Sequence, residues 1–204
     1  IGKKPIIFTN NDSAYETALE FKKHGINPVV IDTREDQKSD LIEEAKIQDI
    51  EIKFSHAVIA AHGYKKIKSA SIGKLNQDKT DIENIERLNC DCICVSGFWT
   101  PTVHLASQSG NKLKFDEKID AFIPDKAKQH EKSLGASNGI FNLKETLKTS
   151  FEIGTETSKS ITKNGKSILV PNVNEKKHSD HDKFWCSPLP KGKNYKRFVD
   201  FQND

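Results

Sequence analysis

The chain has 204 residues, with 32 basic and 29 acidic side chains, a net charge of +3 and no methionine. So small a charge, with both signs interspersed, weighs against a nucleic-acid groove, which needs basic residues gathered on one face. No apolar run approaches the roughly 20 residues that span a bilayer, and no signal peptide is visible. The length suffices for a real core in one or two domains. Because the chain opens on Ile1 and stops at Asp204 without a capping pattern, it is expected to be an internal piece of a longer protein.

Residues 5–32 read as one βαβ unit. Pro5 to Thr9 is a short apolar strand. Asn10-Asn11-Asp12-Ser13 is a turn whose Asn, Asp or Ser can cap the next helix. Ala14, Ala18 and Phe21 recur at near-helical spacing with Leu19 on their flank. His24 and Gly25 end the helix, glycine standing where a left-handed residue is needed. Pro28 to Asp32 is a second strand that closes on an acid.

This is the dinucleotide-binding βαβ geometry with its glycines altered. Glycines normally let the backbone approach a pyrophosphate at the helix N-terminus, and an acid about 20 residues on takes the ribose hydroxyls. Thr9, Asn11 and Ala14 fall where G-x-G-x-x-(G/A) expects small residues, and only Ala14 conforms. Asp32 stands at the expected distance. Two readings follow: the turn still holds a nucleotide, or the fold persists after its ligand was lost.

Asp40 to Gln48 is a short amphipathic helix, and Ile50 to Phe54 alternates as a strand with one exposed face. Residues 56–62 and 66–72 read as antiparallel strands joined at Gly63-Tyr64-Lys65, part of a β-meander. His56 and His62 have no acid or cysteine at metal spacing and are strand residues without chemistry. Asp81 to Leu88 reads as a weak helix or turn. It leads into the strand Cys90 to Val95, which halts at Ser96-Gly97 and delivers its backbone to a crevice at the strand's carboxyl end.

Alternation along that strand puts Cys90, Cys92 and Cys94 on one face, too widely spaced to bridge easily. They are expected as buried small hydrophobes in a reducing, cytoplasmic compartment rather than as metal ligands. After Pro101 the chain is expected to cross into a neighbouring domain, with Ser107-Gln108-Ser109 as loop. Strands follow at 112–116 and 121–124.

Around Ser133 to Leu143 a strand end, a turn built on Gly135, Ala136, Ser137, Asn138 and Gly139, and a helix from Leu143 to about Ser160 form a second candidate. Bare N–H groups at a helix N-terminus bind anions, and small residues allow a cofactor close. A plain connecting turn is the alternative. From 163 to 197 the lysines lie scattered in a linker, ordered again near Lys183 to Pro188. His178, Asp180, His181, Asp182 and Cys186 are dense enough to suggest zinc, but with no ligand pair elsewhere they read as a solvated loop. Phe198 to Asp204 opens another domain.

Four pieces in order are similar to one family: Phe8 to Tyr15, Gly97 to Ser109, Gly135 to Phe141 and Phe198 to Asp204. The chain resembles the alpha subunit of heterotetrameric sarcosine oxidase, in the pyridine nucleotide-disulfide oxidoreductase-like flavoprotein superfamily. The resemblance implies an α/β, Rossmann-like three-layer FAD/NAD(P)-binding fold with a β-meander. Residues 1–98 would be the second, NAD(P)-type dinucleotide domain. Residues 99–163 would be the returning part of the first, FAD-type domain, and 164–204 a linker and the start of the next.

It further implies a complex that oxidises sarcosine to glycine, passes the one-carbon unit to tetrahydrofolate and gives electrons to oxygen, yielding hydrogen peroxide. NAD would be bound in this subunit, with FAD and FMN mainly outside these residues and beta, gamma and delta subunits as partners. Flavoproteins of this type carry Gly-Asp at the later turn to hold the ribityl chain. Gly135-Ala136 stands there instead, which suits NAD better than FAD. Related dehydrogenases place an iron–sulfur cysteine pair where Asp200 and Gln202 stand, so no cluster is expected. No catalytic residue or metal ligand is assigned. A free-standing NAD(P)H-dependent flavin reductase and a non-catalytic scaffold are the other readings.

Overall fold

A computed structural model describes residues 2–162, 169–174 and 181–189. The expectations placed on His178, Asp180, Asp200, Gln202 and the segment 198–204 lie outside the described residues. The chain forms two compact units, one from the 1–98 and 176–204 ranges and one from 99–175.

The first unit is built on a four-stranded parallel sheet. Its strands are β1 (Pro5–Thr9), β2 (Val29–Asp32), β3 (Glu51–Phe54) and β7 (Cys92–Ser96), in the order β3-β2-β1-β7. Helices α1 (Ser13–Lys23) and α2 (Asp40–Ile47) supply the crossovers β1 to β2 and β2 to β3. Both faces of β1 are covered, which explains its unbroken apolar run. Ile7 packs with Ala14, Tyr15 and Ala18 of α1 and with Leu41 and Ile42 of α2. Its neighbour Ile6 points the other way, into a cluster with Ile31, Ala70 and Ile72. That second layer is the antiparallel meander β4 (His56–Gly63), β5 (Ile67–Leu75) and β6 (Ile82–Asn89). The architecture is therefore the three-layer Rossmann-like α/β fold with a β-meander.

Local chemistry sets the boundaries. Gly25 is left-handed at φ 75° after α1, and Ser39 caps α2 by accepting from the Ile42 N–H at 3.3 Å. Asp91 joins the starts of β1 and β7 by accepting from the N–H groups of Lys3 and Lys4 at 2.7 and 2.8 Å. Those two bonds, that of Lys4 first, hold its carboxyl below the usual carboxylate range.

Four expectations are corrected here. Asp81 to Leu88 is neither helix nor turn: Ile82–Asn89 is β6, paired antiparallel with β5 from Leu75↔Ile82 to Ser69↔Asn89. Its charges suit helix and strand alike, and the unpaired edge of β5 decides between them. A register shift between Ile72 and Lys74, with Asn84 at φ 50°, bends the ladder. The three cysteines do not share a face. Cys90 precedes the strand and packs on the meander side, whereas Cys94 packs on the helix side, its Sγ 3.9 Å from that of Cys92. Burial pushes the Cys90 and Cys94 thiols up from their ordinary range.

The third correction lies in the second unit, where His104–Gln108 is a short helix, α3, rather than part of a loop. Strands β8 (Leu113–Asp116) and β9 (Ala121–Pro124) form a hairpin. Phe115 and Phe122 lie opposite each other there, ring centres 5.3 Å apart. A 3-10 turn over Gly135–Asn138 and the helix α4 (Leu143–Thr162) complete the unit. The strand end expected directly before that turn is the fourth correction, since residues 125–134 are irregular. No residue of α4 is fully buried.

Gly73 shows how closely the meander is packed. A Cβ there would lie 2.2 Å from Ile82 Cγ2 and 3.1 Å from Ile59 Cδ1. Gly73→Ala is expected to cost about 1–3 kcal/mol by overpacking, read as a lowered urea midpoint with an unchanged slope.

Candidate functional site

In an open parallel sheet the ligand crevice lies beyond the carboxyl ends of the strands, where strand order reverses. Here that point falls between β1 and β7, and β2 continues on the other side of β1. The fold brings Thr9, Asn11, Ala14, Asp32 and Gly97 of the first candidate together there.

Each is committed to its own chain. The Thr9 hydroxyl donates to the Asn11 carbonyl at 3.0 Å and accepts from the Asn11 N–H at 3.1 Å, so it fills the turn that a glycine would leave open. Asn11 donates its amide across to the Gly97 carbonyl, tying the β1 turn to the end of β7. Its Oδ1 accepts from the Ser13 N–H at 3.0 Å, which caps the start of α1. Ala14 is buried on the core side of that helix.

Asp32 departs furthest from expectation. The residue is 0% exposed, and its carboxylate faces inward rather than toward a ribose. One oxygen accepts from the Arg34 backbone N–H at 2.9 Å and from Nε at 3.1 Å. The other accepts from Arg34 Nη2 at 2.8 Å and from the Tyr15 hydroxyl at 2.8 Å. Arg34 also pairs with Asp12 at 2.9 Å, and the side chains of the three charged residues are all nearly inaccessible. Burial alone would lower the Arg34 pKa, but the hydrogen bond and charge of Asp32, followed by those of Asp12, hold it above its ordinary value. Burial, then the charge of Asp32, raises the Tyr15 hydroxyl well above the ordinary tyrosine range.

The crevice itself is lined with chain from residues 181–187: the ordering expected near Lys183 to Pro188 is seen, and the solvated loop expected around Asp182 is corrected. Asp182 and Asn10 exchange two bonds: Asp182 N–H to the Asn10 carbonyl at 2.9 Å, and Asn10 Nδ2 to the Asp182 carbonyl at 2.8 Å. The Asp182 carboxylate accepts from the Thr33 hydroxyl at 3.1 Å and pairs with Lys79 Nζ. Phe184 meets Phe8 edge-on at 6.4 Å, and Ser187 donates to the Val58 carbonyl at 3.2 Å. A cavity of about 230 Å³ remains, bounded chiefly by Phe8, Thr9, Val95, Phe184 and Trp185. Among the described residues no three His, Cys, Asp or Glu side chains stand close enough to hold a metal ion.

Gly135, Ala136, Ser137, Asn138 and Gly139, the second candidate, lie in the other unit. Gly135 and Gly139 are left-handed at φ 60° and 77°. A Cβ on Gly139 would come within 2.7 Å of Ile119 Cδ1, so the left-handed backbone favours glycine there and a side chain would also have to displace Ile119. The Ile140 N–H donates to the Gly135 carbonyl at 3.0 Å. The Asn142 side chain accepts from the Glu145 N–H at 2.8 Å at the start of α4. Ala136 stays exposed, and Ser137 and Asn138 are half-buried.

Sequence reasoning missed Asp12, Tyr15, Arg34, Lys79 and Asp182 as partners. Asp32-Thr33-Arg34 carried a local signal, an acid and a base at the end of a buried strand. Nothing near Asp182 pointed to Asn10, 172 residues away.

No protein-family model matches the chain. Over 155 residues it is 29% identical to the sarcosine oxidase subunit alpha of Corynebacterium sp. strain P-1, covering 75% of this chain and 16% of that protein. It resembles the alpha subunit of sarcosine oxidase. The subunit from strain U-96 is 28% identical over 151 residues, covering 72% of this chain and 15% of that protein. The chain thus spans less than a fifth of either relative's length, and both relatives are oxidoreductases. Thioredoxin reductase of T. acidophilum aligns with a TM-score of 0.48 at 12% identity, covering 66% of this chain and 47% of its own. Bacillithiol disulfide reductase of Staphylococcus aureus aligns at 0.45 and 16% identity, covering 61% and 37%. Among the described residues no helix is long and apolar enough to cross a membrane.

Arg34→Leu leaves two carboxylates buried without their cation and is expected to cost about 3–5 kcal/mol. Tyr15→Phe removes one bond to a buried charge and should cost about 1.5–3 kcal/mol, both measured by urea unfolding. Because the folded state raises the Tyr15 pKa, its contribution is intact below the unfolded value of about 10 and declines as pH rises past it. An ultraviolet absorbance titration should show one of the three tyrosines ionising only as the protein unfolds in alkali.

Proposed function

We propose that the chain is part of the alpha subunit of a sarcosine-oxidising complex, where it seats NAD and contacts other subunits while the amine is oxidised elsewhere. The observation that carries this reading is the 29% identity over 155 residues to a sarcosine oxidase subunit alpha. The complex would convert sarcosine to glycine in the cytoplasm, passing the one-carbon unit to tetrahydrofolate and electrons to oxygen to give hydrogen peroxide. FAD and FMN would sit mainly in other parts of the assembly, with beta, gamma and delta subunits as partners.

In this reading residues 1–98 are the second, NAD(P)-type domain, 99–163 the returning part of the first, and 164–204 lead to the next. The Thr9 turn does not fit a dinucleotide, since the Thr9 hydroxyl and Asn11 amide fill it and Asp32 is sealed in. The turn at Gly135 fits better: Ala136 is exposed and small, and the two left-handed glycines shape a bend that larger residues would strain. Ala136, Ser137 and Asn138 would hold NAD there.

A scaffold role for the first unit alone is favoured by the same buried Asp32. An NAD(P)H-dependent flavin reductase working through Thr9 to Asp32 is disfavoured by it.

Analysis of nucleotides released from the purified full-length complex tests the reading. NAD should be present in stoichiometric amount, remain unreduced when sarcosine is added, and fall well below stoichiometric in Ala136→Arg. A complex free of NAD would refute the seat, and rapid oxidation of added NADH would point to the reductase.

A further inference from the structure

We propose that the strand-end crevice of the first unit has exchanged a nucleotide for a peptide of its own chain. Residues 181–187 form a strap that is the crevice's resident ligand. Two kinds of observation meet here. The fold's own nucleotide contacts are closed from below, because Thr9 fills its turn and Asp32 is sealed by Arg34 and Tyr15. From above, the place where such sheets hold ligands is taken by groups that recognise an acidic-aromatic peptide.

The recognition has three parts. Asn10 reads the strap's main chain at Asp182 through a reciprocal pair of bonds, 2.9 and 2.8 Å, much as a neighbouring strand would. Thr33 at the end of β2 and Lys79 from the β5–β6 turn converge on a single oxygen of the Asp182 carboxylate. An anionic group therefore sits beyond the strand ends, but it is a side chain. Phe184 adds the apolar part of the ligand, edge-on to Phe8 of the central strand. The Ser187 hydroxyl then pins the far end of the strap to Val58 in β4. The strap thus bridges β1, β2 and the meander. It does so whether or not the turn at Gly135 holds NAD.

Limited chymotrypsin digestion of the full-length protein, with products mapped by mass spectrometry, reads the strap directly through cleavage after Phe184 and Trp185. A strap held by these contacts is cut slowly. Lys79→Glu and Asp182→Lys should each speed cleavage roughly tenfold, the effect of losing one charge-assisted hydrogen bond. Combining the two swaps the charges and should restore slow cleavage. Asn10→Ala, which removes the paired amide without altering charge, should accelerate it as well. Circular dichroism of all four should match the parent. Saturating NADH should leave the parent's cleavage rate unchanged. Equal cleavage in the parent and the single variants would overturn the proposal, as would a double variant that stays fast. Acceleration by NADH would also overturn it, since a nucleotide would then be displacing the strap. None of these outcomes bears on the NAD content that tests the seat at Gly135.

Discussion

The first unit depends on one buried cluster of charge. Arg34 stands between Asp12 and Asp32, and Tyr15 completes the shell around Asp32. Ions removed from water are tolerated only when paired and hydrogen-bonded, so these four residues must be placed together or not at all. They belong to the turn after β1, the first turn of α1, and the end of β2. Satisfying the cluster therefore fixes how the crossover helix lies on the sheet. The same requirement removes from solvent the acid that a dinucleotide-binding turn would offer to a ribose. A residue that could have recognised a ligand holds the fold instead.

Closure of the crevice follows from that commitment. With Asp32 turned inward and Thr9 folded into its turn, the strand ends still present Asn10, Thr33 and the Phe8 ring. The polar ones at the edge of a core need partners or water, and the ring needs apolar cover. Residues 181–187 provide those partners from far along the chain. The nucleotide seat proposed for the second unit involves none of these groups.

How much of this was legible in the sequence varies with the range of the forces involved. The βαβ unit was readable because its apolar run, turn residues and terminal Gly25 act locally. The 56–72 hairpin was readable for the same reason. The strand at Ile82–Asn89 was not, because Asp-Ile-Glu-Asn-Ile-Glu carries little preference and its pairing with β5 overrides what there is. The cysteine faces were misjudged because alternation was extended across Asp91, where the strand has not yet begun. Asp32 was located correctly as the acid at the end of β2. What its carboxylate touches depends on Arg34 and Tyr15, which spacing alone does not orient. The glycine turn at 135–139 was legible as small and bent, while the nearness of Ile119 to Gly139 follows from the fold and not from spacing. Ordering near Lys183 to Pro188 was legible, but its docking through Asp182 on Asn10 was not, since the two lie 172 residues apart in the chain.

The pairing of β1 with β7 has one more consequence. Ile6 lies beside Ile93, and the entire meander intervenes in the chain between them. As a nascent polypeptide emerges from its N-terminus, β1, β2 and β3 can associate early, but the other flank of β1 has no neighbour until residues 92–96 arrive. For that interval the most apolar strand of the unit presents a row of unpaired amides and carbonyls, a template for misassociation with other chains. Closing so long a loop is also slow. The order of synthesis thus makes the central strand the point of greatest vulnerability before the domain is complete.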